Sequence, residues 1–187
     1  MSSVADRSPR IAPIAPPYPA EIQETFDRIM NGAPPLGVFR TVARNPRVLS
    51  RMIAGNLLDR GSISFRQREL AILRTTALCG AEYEWSLHVT LFGAKAQWTP
   101  VQLASSVHGS AGDACWSADE AAIVRLADAL HTSSDVTDEL WTELKQHYAD
   151  DQLIELLMLC GLYHAASFVL NGCRVALEPG APRFPPR

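Results

Sequence analysis

Of the thirteen prolines in the chain, only Pro100 falls between Ser64 and Glu178. Proline lacks an amide donor and clashes with the preceding helical turn, so a long stretch without it is free to be helical. Nine of the other twelve crowd the ends: five lie in residues 1–19 and four in the tail EPGAPRFPPR. No window between them alternates apolar and polar residues with β-branched enrichment, as a half-buried strand would. The chain is therefore expected to be all-α, a multi-helix bundle of about seven or eight helices. Its 187 residues, 47% of them hydrophobic and 20% charged, suit a single globular domain with a real core. The expected division is an extended arm over 1–18, one helical domain over 19–178 and a proline-rich tail over 179–187.

The helix boundaries are marked by capping chemistry. Apolar Ile22, Phe26 and Ile29 recur at helical spacing after Pro19, and Gly32 with Pro34-Pro35 closes that element. A residue before proline avoids the α region, so two short helices should meet near Asn45-Pro46. Ser64 with Gln67, and Ser117 with Glu120, fit capping boxes, in which two side chains satisfy each other's free amides. Thr99-Pro100 places an N-cap before a proline at the first helical position. Thr137 caps another helix. The last pattern, about 151–176, is apolar almost all round from Leu153 to Leu170, as a central buried helix should be. It approaches the length of a membrane span. Glu155, Tyr163, His164 and Ser167 interrupt it and no flanking charge pattern supports insertion, so no membrane is expected.

Residues 64–98 hold the chemistry. Glu84 and His88 are four apart, so a helix puts them on one face. A carboxylate one turn from an imidazole orients the ring and raises its basicity, which prepares a general acid or base. Glu69 lies one helix earlier, and an antiparallel turn at Cys79-Gly80 would bring it against them. If burial raised its pKa, it would be a second proton-handling group. Such a set suits proton abstraction beside a carbonyl, lactone isomerisation or decarboxylation through an enolate. By spacing alone, a solvated Glu–His pair explains the pattern too.

The run RELAILRTTALCGAEYEWSLHVTLFGAKAQWTPVQL resembles the carboxymuconolactone decarboxylase-like superfamily, which includes the alkylhydroperoxidase D-type proteins. The matching elements are Arg68-Glu69-Leu70, Tyr83-Glu84-Trp85, His88, and Gly93 before a new helix. LIELLMLCGLYHAASFVLNGCRVALEPGAP resembles the last helix of longer members. Peroxidase members carry C-x-x-C-x-x-x-H, with a glutamate one helix earlier. Here the two cysteine positions are Ala81 and Glu84, while Glu69 and His88 remain. Thiol peroxidation needs a nucleophilic thiolate and a resolving partner. The resemblance thus implies the decarboxylase side: a cofactor-free acid–base enzyme acting on a small organic acid or lactone. His88, Glu84 and Glu69 are the expected catalytic residues, no metal is expected, and a homo-oligomer is implied. The alternatives are a hydroperoxide reductase using Cys79, and a helical binding or assembly protein without catalysis.

Tyr83, Arg74 and His164 are candidate substrate-binding residues. Arg74 equally suits a structural salt bridge. His164, Ser167 and Asn171 form a polar stripe that faces the site, a subunit contact or a local network. Trp98, Trp116 and Trp141 are expected as core or interface anchors. His108, His131 and His147 occur in polar segments and are expected at the surface. The net charge of −3 carries no basic stripe, which argues against nucleic acid. Cys79, Cys115, Cys160 and Cys173 form no CxxC pair and are expected as buried thiols in a reducing compartment. With no apolar signal segment at the N-terminus, the protein is expected in the cytoplasm.

Overall fold

The computed structural model describes residues 8–187. The first seven residues of the expected N-terminal arm lie outside it. Among the described residues there are nine helices and no strand. They are α1 (Ala20–Met30), α2 (Gly37–Val42), α3 (Pro46–Ala54), α4 (Phe65–Leu78) and α5 (Glu82–Ala96). Then follow α6 (Pro100–His108), α7 (Ala118–Ser133), α8 (Asp138–Leu144) and α9 (Asp150–Cys173). The count is one above the upper expected number; residues 37–54 form the two short helices that the Asn45-Pro46 break predicts, and Asp138–Leu144 is the helix that Thr137 caps. Asn45 accepts from the Val48 amide and Pro46 is the first residue of α3, so the break at Asn45-Pro46 is a helix start.

α4 is the axle. The Ser64–Gln67 capping box opens it. Every residue from Arg68 to Thr76 is buried, because α5, α6, α7 and α9 all pack around it. Leu70, Ala71 and Ile72 join Ile123, Leu126, Leu153, Leu156 and Leu159 in the main core. A second core forms where Ile22, Phe26, Val38 and Leu49 of α1–α3 meet Tyr83 and Leu170. Burying an aliphatic or aromatic side chain of this kind contributes roughly 1.5–3 kcal/mol relative to exposure.

α4 ends in a Schellman motif. The Ala81 amide donates to the Thr76 carbonyl at 2.8 Å and the Gly80 amide to the Ala77 carbonyl at 3.0 Å. Gly80 sits at φ +63, the left-handed region that glycine enters without a Cβ clash. This turn reverses the chain and lays α5 against α4.

α9 is less enclosed than its sequence suggests. Leu153, Leu156, Leu159, Tyr163 and Leu170 face the core, whereas Ile154, Met158 and Phe168 are exposed. Its near-uniform apolarity therefore covers one core face and one open face. The carboxylate of Glu155 is held by the Ser62 amide at 2.6 Å, which ties α9 to the loop before α4. Both proline-rich ends are extended and lie on the bundle. Arg10 donates its amide to the Cys173 carbonyl, and Phe184 packs edge-on against Trp85. Of the four thiols only Cys160 is fully buried, since Cys79 and Cys173 stand at helix ends and Cys115 lies in a loop turn.

Candidate active site

The α4–α5 reversal brings Glu69, Glu84 and His88 together. His88 Nδ1 lies 2.8 Å from Glu69 Oε2, and His88 Nε2 lies 3.7 Å from Glu84 Oε1. The second contact is an ion pair at longer range than a hydrogen bond, so Glu69 is the firmer partner. All three are buried, with residue exposures of 1% for Glu69, 6% for Glu84 and 4% for His88. The solvated-pair alternative is excluded.

A buried charge needs partners. Arg68 supplies them for Glu69: its Nε and Nη2 both reach Glu69 Oε1, at 3.0 and 2.9 Å. Its Nη1 donates to the Leu58 carbonyl at 2.5 Å. The two oxygens of Glu69 are thus divided, one to arginine and one to histidine. Glu84 differs: its Oε2 is buried without a hydrogen-bond partner.

Burial alone would push His88 toward neutrality. The hydrogen bonds and charges of Glu69 and Glu84 more than offset it and raise the pKa to about 9. At neutral pH the ring is therefore an imidazolium, whose two nitrogens both donate. Tyr163 stands edge-on to the ring with centroids 5.2 Å apart, and Phe92 lies tilted against it at the same distance. Burial, followed by the charges of Glu84 and Glu69, raises the Tyr163 phenol well above its ordinary value. Tyr163 thus remains a neutral proton donor beside both carboxylates.

The other three sequence candidates lie elsewhere. Tyr83 turns from Glu84 into the second core, where its hydroxyl donates to Glu178 Oε1 at 2.6 Å and accepts from the Val38 amide at 3.0 Å. Arg74 pairs with Asp128 at 2.6 Å and donates to the Ser106 carbonyl, so it takes the structural salt bridge. His164 faces a groove between α4, α7 and α9, where its Nε2 lies 3.1 Å from His131 Nδ1. Ser167 and Asn171 resolve the polar stripe locally, donating to the Tyr163 and Cys79 carbonyls. His131 is exposed as expected, yet it has close partners. Trp116 is buried with Trp98 edge-on to it, while Trp141 is largely at the surface.

Sequence reasoning gave Arg68, Phe92 and Tyr163 no role here. Arg68 was visible only as part of a motif, and Tyr163 reaches His88 from a helix 75 residues away, with no local signal. The cluster of Cys79, His131 and His164 was also missed, because its members come from three separate helical regions.

No family model matches the chain, and no curated protein matches it. Several solved structures do resemble it. An uncharacterized peroxidase-related protein from Silicibacter sp. TM1040 superposes with a TM-score of 0.77 at 16% identity, covering 97% of this chain and 98% of that one. The debrominase Bmp8 in complex with 2,3,4-tribromopyrrole gives 0.72 at 15% identity, covering 90% and 91%. An alkylhydroperoxidase AhpD core protein from Ralstonia eutropha JMP134 gives 0.70 at 14% identity, covering 94% and 95%. At these identities the likeness is one of fold, over nearly the whole length. The chain has the all-helical fold of the alkylhydroperoxidase D-like, peroxidase-related proteins.

Proposed function

We propose that the protein is a cofactor-free acid–base enzyme acting on a small organic acid or lactone, by decarboxylation, isomerisation or a related elimination. The observation that carries this reading is the unpartnered buried oxygen of Glu84 beside a charged His88. Buried polar atoms without partners are rare and call for an explanation. A carboxylate oxygen with a free lone pair is a base in position. With the ring already an imidazolium at neutral pH, His88 serves as the acid.

In this scheme Glu84 Oε2 removes a proton from the carbon next to the substrate carbonyl. The C–H electron pair moves into the carbonyl, and the enolate oxygen is met by a donor N–H of His88. Return of the proton at another carbon gives isomerisation. For a substrate bearing a β-carboxylate, loss of carbon dioxide supplies the same enolate, which is then protonated. Glu69, fixed by Arg68, holds the ring oriented and charged. A positioned acid or base contributes typically about 10²–10⁴-fold in rate. Substrate entry requires a covering side chain to move, and half-buried Phe92 lies against both the imidazole and the Arg68 guanidinium. A homo-oligomer belongs to the same proposal, and sedimentation at micromolar concentration tests it, a monomer being the contrary result.

A hydroperoxide reductase is the second reading, suggested by the peroxidase-related names of the structural neighbours. Against it, burial raises the Cys79 thiol above its ordinary value, away from the reactive thiolate. It predicts thiol-dependent peroxide turnover that vanishes in Cys79→Ser.

The test is proton exchange in D2O with a panel of small lactones and β-keto acids, followed by proton NMR and carbon dioxide release. The wild type should exchange or decarboxylate at least one member. Glu84→Gln and His88→Gln should each lose about 100-fold or more. Equal rates in the variants and the wild type would overturn the assignment, as would inertness across the panel.

A further inference from the structure

We propose that Cys79, His131 and His164 form a binding site for one zinc-type divalent ion, with a coordination position open to the groove between α4, α7 and α9. The three residues belong to different parts of the chain. Cys79 caps the end of α4, His131 is in the last turn of α7, and His164 is midway along α9. Their potential ligand atoms nevertheless all lie within 4.8 Å of one another.

The separations suit a metal. An ion about 2.0–2.1 Å from each nitrogen and 2.3 Å from sulfur, in tetrahedral geometry, sets nitrogens roughly 3.3 Å apart and sulfur roughly 3.6 Å from nitrogen. Here His131 Nδ1 lies 3.1 Å from His164 Nε2 and 3.8 Å from Cys79 Sγ. Cys79 Sγ and the His164 ring nitrogen lie within 4.8 Å, and closure of the cysteine onto the two imidazoles would complete the geometry.

His131 Nδ1 is the shared neighbour of both other groups. An ion placed among the three atoms would take one lone pair from each. Binding converts the Cys79 thiol to thiolate and releases its proton to solvent.

The surroundings are those of a supported site. Asn171 Nδ2 donates to the Cys79 carbonyl at 2.9 Å, which holds the ligand's backbone in place. The two imidazoles are stacked with 23° between their planes. One thiolate and two imidazoles favour zinc over magnesium or calcium, which prefer oxygen. Three protein ligands leave a fourth position for water or a small anion, the pattern of open rather than closed zinc sites. That position would face a groove of about 590 Å³ walled by Leu78, Leu130, Leu157 and Phe168.

This site shares no residue with the acid–base group. On α9, Tyr163 faces His88, while the next residue, His164, faces the groove. The sequence anticipated no metal because nothing local links a cysteine at one helix end to histidines 52 and 85 residues later.

The test uses the full chain, freed of any affinity tag and stripped with a chelator. Zinc chloride is titrated in competition with a chromophoric chelator, and cobalt chloride provides the spectrum. The expected result is one saturable ion per chain, with a thiolate-to-cobalt charge-transfer band and tetrahedral d–d intensity. Cys79→Ser should abolish the charge-transfer band. Cys79→Ser, His131→Ala and His164→Ala should each weaken zinc binding by at least the roughly 10–100-fold that losing an outer-shell partner costs. His147→Ala, at an exposed histidine outside the cluster, should bind as the wild type does. Zinc should also raise the Tm of the wild type but not of His164→Ala, which reports binding in a folded variant. Absence of one-to-one binding would overturn the proposal. So would binding that survives all three substitutions, or a Cys79 that alkylates equally fast with and without zinc.

Discussion

His88 Nδ1 and Glu69 Oε2 stand 2.8 Å apart across the turn that joins α4 to α5, and both residues are buried. The pair is a direct consequence of the Schellman turn. Nineteen residues separate the partners, and the reversal at Gly80 brings the two helices face to face. Everything proposed for the site depends on this geometry.

Arg68 is the group that makes buried Glu69 tolerable. Arg68→Met would leave Glu69 Oε1 without its two guanidinium bonds and the Leu58 carbonyl without its Nη1 donor. Breaking a buried ion pair from one side typically costs about 3–5 kcal/mol. Chemical denaturation should show a loss of about 3 kcal/mol or more, and a loss under about 1 kcal/mol would contradict the role.

The pH dependence of stability follows from the raised His88 pKa. The folded state holds this proton up to about 9, whereas the unfolded group releases it near 6.5. Between those values the folded state binds more protons, so stability falls as pH rises. The contribution is fully present below pH 6.5 and is lost as pH climbs through about 9. The stability difference between the wild type and His88→Gln should therefore shrink across that window. A difference independent of pH would refute the assignment.

Much of this was legible in the sequence, and the reasons are physical. The Ser64–Gln67 and Ser117–Glu120 boxes, the Asn45-Pro46 break and the Cys79-Gly80 turn are local, so they could be read from neighbouring residues. Glu84 and His88 were legible for the same reason. Glu69 required the direction of a turn, which Gly80 supplied. What was not legible depends on which helix lies against which. Tyr83 was placed near the site by its neighbour Glu84, yet the helix turns it toward Glu178 and Val38. Arg74 found Asp128 on α7, and His164 found His131. The open face of α9 escaped notice because composition records apolarity, not which side the core occupies.

Gly80 tests the turn itself. An added Cβ would meet no atom within 4 Å, so Gly80→Ala has only its backbone to strain. Holding an L-residue in the left-handed region costs roughly 1–2 kcal/mol. Thermal unfolding should show a loss of about that size, and an unchanged Tm would mean that the turn is not held as described.

Tyr83 tests the strap made by the C-terminal segment. Its hydroxyl and the Gly37 amide both donate to Glu178 Oε1, each at 2.6 Å. Tyr83→Phe removes one of these bonds and leaves the buried Val38 amide without its acceptor. Loss of a hydrogen bond to a charged group costs about 1.5–3 kcal/mol. Limited proteolysis should then cut the segment after Arg174 faster than in the wild type. Equal cleavage rates would show that Tyr83 does not hold the strap.

The most direct test is an NMR titration of His88 in protein carrying labelled histidine, with the signal assigned by its loss in His88→Gln. The wild-type ring should stay protonated through neutral pH and titrate near 9, and Glu69→Gln should bring it well down. A wild-type His88 that titrates at or below 6.5 would mean a neutral ring, and the acid–base site described here would not stand.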